Sequence, residues 1–358
     1  MSTTTPIDHY GTLPDGTEIR RFTLRNVHGM QASIIEYGAI LSSLSVPDTA
    51  GRRAELTLGY DSLDGWLSDT HFMGAIVGRC ANRIKQGRFT LHDRQYTLAT
   101  NNAPGGVPCH LHGGVRGFNK VVWQGTPVRR PGATGVRLTY VSADDEEGYP
   151  GEVTTSANYW LTDNNELCWD VEATTTRTTV INLAQHAYWN LSDDPVLGIE
   201  QHVLTLNAAH YLPVDAGMIP TGELSSVIGT PMDFCLPQRI GARIDDEFEQ
   251  LRIAGGYDHF WVLNPHPGIT QHHVATLFEP VTGRSMQLYT NQPAVQFYSG
   301  NSLDGSRPGR NGVRCGRRSG LCLETQAFPD APNQPHFPSA VLQPGSVYRH
   351  LMTCGFYF

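Results

Sequence analysis

The chain has 358 residues, 26 Lys and Arg against 34 Asp and Glu, and a formal charge of −8, with 39% hydrophobic and 17% charged residues. That balance excludes a disordered chain. It also argues against nucleic-acid binding, which draws its affinity from cations on phosphates.

In chain order, the opening residues MSTTTP carry no basic stretch followed by an apolar one, so no secretory leader is predicted. Strands are predicted at 31–35 and 55–60, then a short helix over 62–68. A hairpin follows, 88–91 and 95–98 around His92, Asp93 and Arg94. Residues 135–142 (GVRLTYVS) alternate apolar and polar. So do 152–162, which pair with 166–175 across the turn residues Asp163, Asn164 and Asn165. Further strands are predicted at 180–190, 202–206, 286–290, 294–298, 320–325 and 347–356, with a second helix at 238–248. The uncharged run 285–303 holds Asn291, Gln292, Gln296 and Asn301, too polar for a membrane span. The densest basic run, 314–318 (RCGRR), reads as a solvated loop. Strands at short intervals without a linker predict an all-β fold, antiparallel sheets packed face to face, with few short helices and one domain over 1–358. The seven cysteines are odd in number and include no Cys-x-x-Cys pair, which argues for reduced thiols in the cytoplasm over a disulfide framework or structural zinc.

Four polar patches interrupt the apolar pattern: 78–84 (GRCANRI), 110–114 (HLHGG), 182–190 (NLAQHAYWN) and 320–326 (GLCLETQ). Glu324 follows Leu321, Cys322 and Leu323 in what reads as a buried strand. A glutamate is rarely fully buried alone, so it is either neutralised in a structural ion pair or faces a polar pocket. His186 lies in the uncharged stretch 178–192. A histidine there is more often a satisfied core residue, yet its ordinary pKa suits proton donation near neutral pH. His110 and His112, two apart on a predicted strand, would face one side. With Cys109 they suggest a metal-ligand pair. The next glutamate is Glu146, and His272 and His273 would point to opposite faces, so a third ligand is missing and no metal is expected. The glycines of 113–117 fit a flexible turn and not a dinucleotide fingerprint, and no P-loop or nucleophile elbow occurs.

These patches, with 111–120 (LHGGVRGFNK), 146–152 (EEGYPGE), 211–215 (YLPVD), 219–223 (IPTGE), 256–260 (GYDHF), 292–301 (QPAVQFYSGN) and 333–338 (NQPHFP), resemble the galactose mutarotase (aldose 1-epimerase) family over nearly the whole chain. The resemblance implies a large antiparallel β-sandwich, the galactose mutarotase-like supersandwich, with an open sugar-binding cleft. It implies that Glu324 is the general base, that His186 is the general acid and that His112 lies beside the sugar ring. It places Asn82, Arg83, Asp258 and Gln296 at hydroxyl-binding positions; read alone, Asp258 is a loop cap before His259. The stretch 101–110 (NNAPGGVPCH) is longer than the usual connection and is expected to reshape the cleft rim.

The activity so implied is interconversion of the α and β anomers of free aldohexoses such as galactose and glucose, without a cofactor. Glu324 as carboxylate and His186 as imidazolium would take one proton from the C1 hydroxyl and give another to the ring oxygen. The rival readings are a hexose-phosphate epimerase, which would favour Arg or Lys clustered at the cleft, and a sugar-binding module, which would have little need of both residues. The implied partner is a small sugar, with no nucleic acid and no membrane. The expected assembly is a monomer or homodimer.

Overall fold

The computed structural model describes residues 5–47, 52–192, 194–264 and 270–358. The residues read for a secretory leader lie largely outside these ranges. Antiparallel strands carry the fold, and the α-helices among the described residues are two short ones, Leu63–Leu67 and Glu249–Ala254. No described helix is long and apolar enough to cross a membrane.

Three sheets form the body. The N-terminal sheet is a five-stranded meander from Ile7–Thr12 to Arg53–Glu55. A nine-stranded sheet runs from Gln124–Arg130 at one edge to Gln238–Arg239 at the other, with Tyr348–Tyr357 at its centre. The third sheet has the order Ser225–Ser226, His210–Leu212, Asp258–Val262, Ala294–Tyr298, Cys322–Gln326. One apolar core joins all three. It takes Phe22 and Ile34 from the first, Leu138, Tyr159 and Trp169 from the second, and Trp261, Phe297 and Leu323 from the third. The period-two alternation of strands supplies those residues: along Glu166–Thr175, Leu167, Trp169, Val171 and Ala173 turn inward while Glu172 turns out. The result is the expected large antiparallel sandwich.

The predicted hairpins form. Asn165 takes the left-handed conformation (φ 60°) in the turn between Val153–Thr162 and Glu166–Thr175. His92 and Asp93 do so between Arg88–Leu91 and Arg94–Thr97, a tighter two-residue turn than expected. Two expectations need correction. Residues 238–248 hold a strand, Gln238–Arg239, and a single 3-10 turn, Ile240–Ala242; the helix comes later, at Glu249–Ala254. The amides of Ile240 and Gly241 donate to the carbonyls of His202 and Glu200, so this backbone is committed to the sheet edge. Residues 180–190 are not one strand either. Thr179–Val180 and Ala184–Gln185 pair with separate partners, and the amides of Asn182, His186 and Trp189 donate to Arg79, Ala75 and Leu321. The segment crosses between sheets, which is why its polar side chains are buried yet bonded.

Candidate active site

Three neighbouring strands of the third sheet form the floor of a cleft of about 540 Å³. Their registers place Gln296 opposite both Phe260 and Glu324, and Asp258 opposite Tyr298. Residues directly opposite share a face, so Asp258, Gln296, Tyr298 and Glu324 all point to the cleft. The alternate residues Trp261, Val295, Phe297 and Leu323 enter the core. Glu324 is thus buried in an apolar strand yet faces a polar space. The Gln296 amide donates to Asp258 Oδ1, which orients that carboxylate. Asp258 is a strand residue and not a loop cap: its own amide donates to Nδ1 of His259.

His186 forms the opposing wall. Its backbone is pinned on both sides, its amide to Ala75 and its carbonyl to the Gly74 amide. Its ring lies between Phe72 (centroids 5.9 Å apart) and Tyr188 (5.2 Å). Nε2 faces Glu324 Oε1 at 3.6 Å. Glu324 Oε2 has no hydrogen-bond partner. A buried carboxyl with an unused oxygen beside an imidazole is not a completed structural ion pair, and it retains capacity to bond a ligand.

The His110–His112 pair does not share a face. The strand Cys109–Leu111 ends before His112, which turns left-handed (φ 48°). His110 points into a closed pocket, where Nδ1 meets the Ala99 carbonyl at 2.7 Å and Nε2 meets the Tyr149 hydroxyl at 2.7 Å. His112 points to the cleft, its ring 5.2 Å from that of His186. Gly113 makes this turn possible: a Cβ there would lie 1.7 Å from the Gly78 carbonyl oxygen. Arg79, next to Gly78, anchors its own segment by donating to the carbonyls of Pro150 and Gly151.

The third ligand that the sequence lacked is therefore present in space. Ligating atoms of His112, His186 and Glu324 lie within 4.8 Å of one another. The tautomer of His112 does not suit a metal. The Asn82 amide donates to its Nδ1 at 3.2 Å, which leaves the ring hydrogen on Nε2. His112 offers the cleft a donor and not a lone pair.

Burial sets the electrostatics. It pushes the Glu324 carboxyl up to about 8, helped by the negative charge of Asp258 and opposed by Arg83. It pushes His186 down to about 4 and His112 well below the usual histidine range. The proton of the pair therefore rests on Glu324 near neutral pH. The carboxylate–imidazolium pair expected from the sequence is thus the less favoured form here, because loss of hydration disfavours both charges.

All seven predicted residues, Asn82, Arg83, His112, His186, Asp258, Gln296 and Glu324, line this one cleft. Arg83 lies 3.9 Å from Asp258 and donates from Nε to Asn102 at 3.4 Å. Asn82 uses its side-chain oxygen on the Arg83 amide. Asn102 comes from the long 101–110 connection, so that stretch does shape the rim. Sequence reasoning missed Phe72 and Arg317, which also line the cleft. The basic run 314–318 is solvated only in part: Arg314 and Arg317 are exposed, whereas Arg318 is buried and paired with Asp245 and Glu200.

The comparisons with known proteins agree with this fold. A sequence model of aldose 1-epimerase matches residues 20–354. The chain is 42% identical over 342 residues to galactose mutarotase of Bos taurus, covering 95% of each chain. It is 35% identical over 340 residues to aldose 1-epimerase of Escherichia coli, covering 94% of this chain and 95% of that one. Among solved structures, galactose 1-epimerase of Lactobacillus acidophilus is similar with a TM-score of 0.85 and 27% identity across 99% of both chains. A polar cleft built on this sandwich, together with sequence similarity along almost its whole length, makes the chain a member of the aldose 1-epimerase family.

Proposed function

We propose that the chain is an aldose 1-epimerase that interconverts the anomers of free aldohexoses such as galactose and glucose, with Glu324 as base and His186 as acid. The observation that carries the assignment of roles is the facing pair itself, 3.6 Å apart, with one carboxyl oxygen unpartnered. The pair holds one proton near neutral pH. Moving it from Glu324 to Nε2 gives the reactive ionised pair. Glu324 then takes the proton of the C1 hydroxyl while His186 gives one to the ring oxygen, and the bond between C1 and the ring oxygen breaks. The open-chain aldehyde meets a neutral pair, the state that burial favours. After rotation about C1–C2, both transfers run backwards on the other face. His112 donates from Nε2 toward oxygen as charge develops. Asp258, Gln296, Arg83 and Asn82 bind hydroxyls.

The cations of the cleft support a neutral sugar over a phosphorylated one. Arg83 is engaged with Asp258 and Asn102, and Arg317 donates to the Gly255 carbonyl. We also place the enzyme in the cytoplasm, as one domain in a monomer or homodimer; its seven unpaired cysteines support a reducing compartment. Polarimetry of freshly dissolved α-galactose, α-glucose and a hexose phosphate tests the function. Faster equilibration of the free sugars supports the reading, and no acceleration of either would refute it.

A further inference from the structure

Cys322 is fully buried and precedes Glu324 by two positions on the same strand, so both face the cleft side. Its sulfur lies 3.5 Å from Nδ1 of His186. Nε2, on the other edge of the ring, lies 3.6 Å from Glu324. One strand thus addresses both nitrogens of the imidazole, with a thiol at one position and a carboxyl two residues on. Tyr188, stacked on the His186 ring, packs in the same buried cluster as Cys322. Burial, with the charges of Glu324 and Asp258, holds the thiol well above its usual range, so the sulfur stays neutral. A neutral thiol can accept an N–H weakly or donate its own S–H; with the protonated Glu324 carboxyl facing Nε2, the accepting role at Nδ1 is the one that fits, and it adds no charge.

We propose that Cys322 is a positioning residue whose sulfur keeps a hydrogen on Nδ1 of His186, so that Nε2 is the nitrogen that exchanges a proton with Glu324 and the sugar. The proposal rests on the acid–base reading of the pair. A carboxylate in this place would also fix the tautomer, but it would stabilise the imidazolium and make His186 a weaker acid. Sulfur orients without that charge. The other titratable groups facing the ring are Glu324, which favours its charged form once ionised, Tyr188, stacked on it, and His112 and His71, which disfavour that form. His112 then carries its hydrogen on Nε2 and His186 on Nδ1: two neighbouring imidazoles in opposite tautomers, each set by what touches Nδ1.

Nitrogen-15 NMR of His186 in the wild-type protein at neutral pH reads the tautomer directly. A neutral ring with hydrogen on Nδ1 is expected, and hydrogen on Nε2 would overturn the proposal. Kinetically, Cys322→Ala is expected to lower kcat about tenfold with KM within about threefold, and Cys322→Ser to recover most of the loss. Wild-type kcat in Cys322→Ala, or Cys322→Ser as slow as Cys322→Ala, would equally overturn it. The Glu324→Gln variant separates the two levels. If it keeps its rate, the acid–base reading itself fails. If it loses its rate while the His186 tautomer is the wrong one, only the role of Cys322 fails.

Discussion

His110 and His112 stand two residues apart, and the molecule treats them in opposite ways. His110 has a partner on each nitrogen, the Ala99 carbonyl and the Tyr149 hydroxyl, and lies in a pocket that Phe89 and Tyr149 help to fill. His112 has one nitrogen bonded to the Asn82 amide and the other facing a cleft shared with His186 and Glu324. Both rings are buried, and burial lowers the pKa of both. Burial and a shifted pKa therefore do not distinguish structure from chemistry. Between these two histidines the distinction lies in what they face: His110 meets partners on both nitrogens, whereas His112 faces a cleft in which Glu324 keeps an oxygen without a partner and His186 meets it at a distance longer than a hydrogen bond.

The largest effect should follow from removing the unpartnered oxygen's chemistry. Glu324→Gln is expected to reduce kcat by about 10²–10⁴-fold while sugar binding stays within about tenfold. Near-wild-type polarimetric rates in the folded variant would end its assignment as base. His186→Asn should cost about 10²-fold or more, because the variant loses the group proposed to carry the second proton. Full activity in this variant would shift the acid to His112. Smaller still, His112→Asn should cost about tenfold, the worth of one hydrogen bond to developing charge. A loss as large as that of Glu324→Gln would make His112 a proton-transfer residue. At the other pole of the comparison, His110→Phe should leave kcat unchanged but lower stability by about 1–3 kcal/mol, since the Ala99 carbonyl and Tyr149 hydroxyl lose their partner. Denaturant unfolding alongside polarimetry checks both halves, and a catalytic loss with intact stability would contradict the contrast drawn here. The smallest effect is none: exhaustive chelation should not change the rate, because His112 presents a hydrogen where a metal needs a lone pair. A loss restored by one added divalent metal would overturn the tautomer assignment.

Much of this was legible in the chain before its fold. Alternation along 135–142, 152–162 and 166–175 identified the central strands, because one buried face imposes period two. Glu324 stood out because a charge in an apolar run needs a reason. The strand predicted over 180–190 failed for a physical cause: a segment whose amides bond to several separate neighbours looks, residue by residue, like a strand with one. The tautomers were invisible because they depend on Asn82 and Cys322, distant in sequence from the rings they touch. The pairing of His110 with His112 assumed that the strand continued. The left-handed turn at His112 was written only indirectly, in the two glycines that follow it. The reversed proton order of Glu324 and His186 was hidden for the same reason: the residue types gave the ordinary pKa values, and only burial in the folded cleft inverts them.

The pH dependence of kcat/KM tests the central claim, that Glu324 and His186 share a single proton. Below about 4 the pair holds two protons and has no base; above about 8 it holds none and has no acid. The acidic limb thus belongs mainly to His186 and the alkaline limb mainly to Glu324. The account predicts a plateau between those limits, flat through the range where an ordinary histidine titrates. A limb centred near the ordinary histidine value of about 6.5 would contradict it.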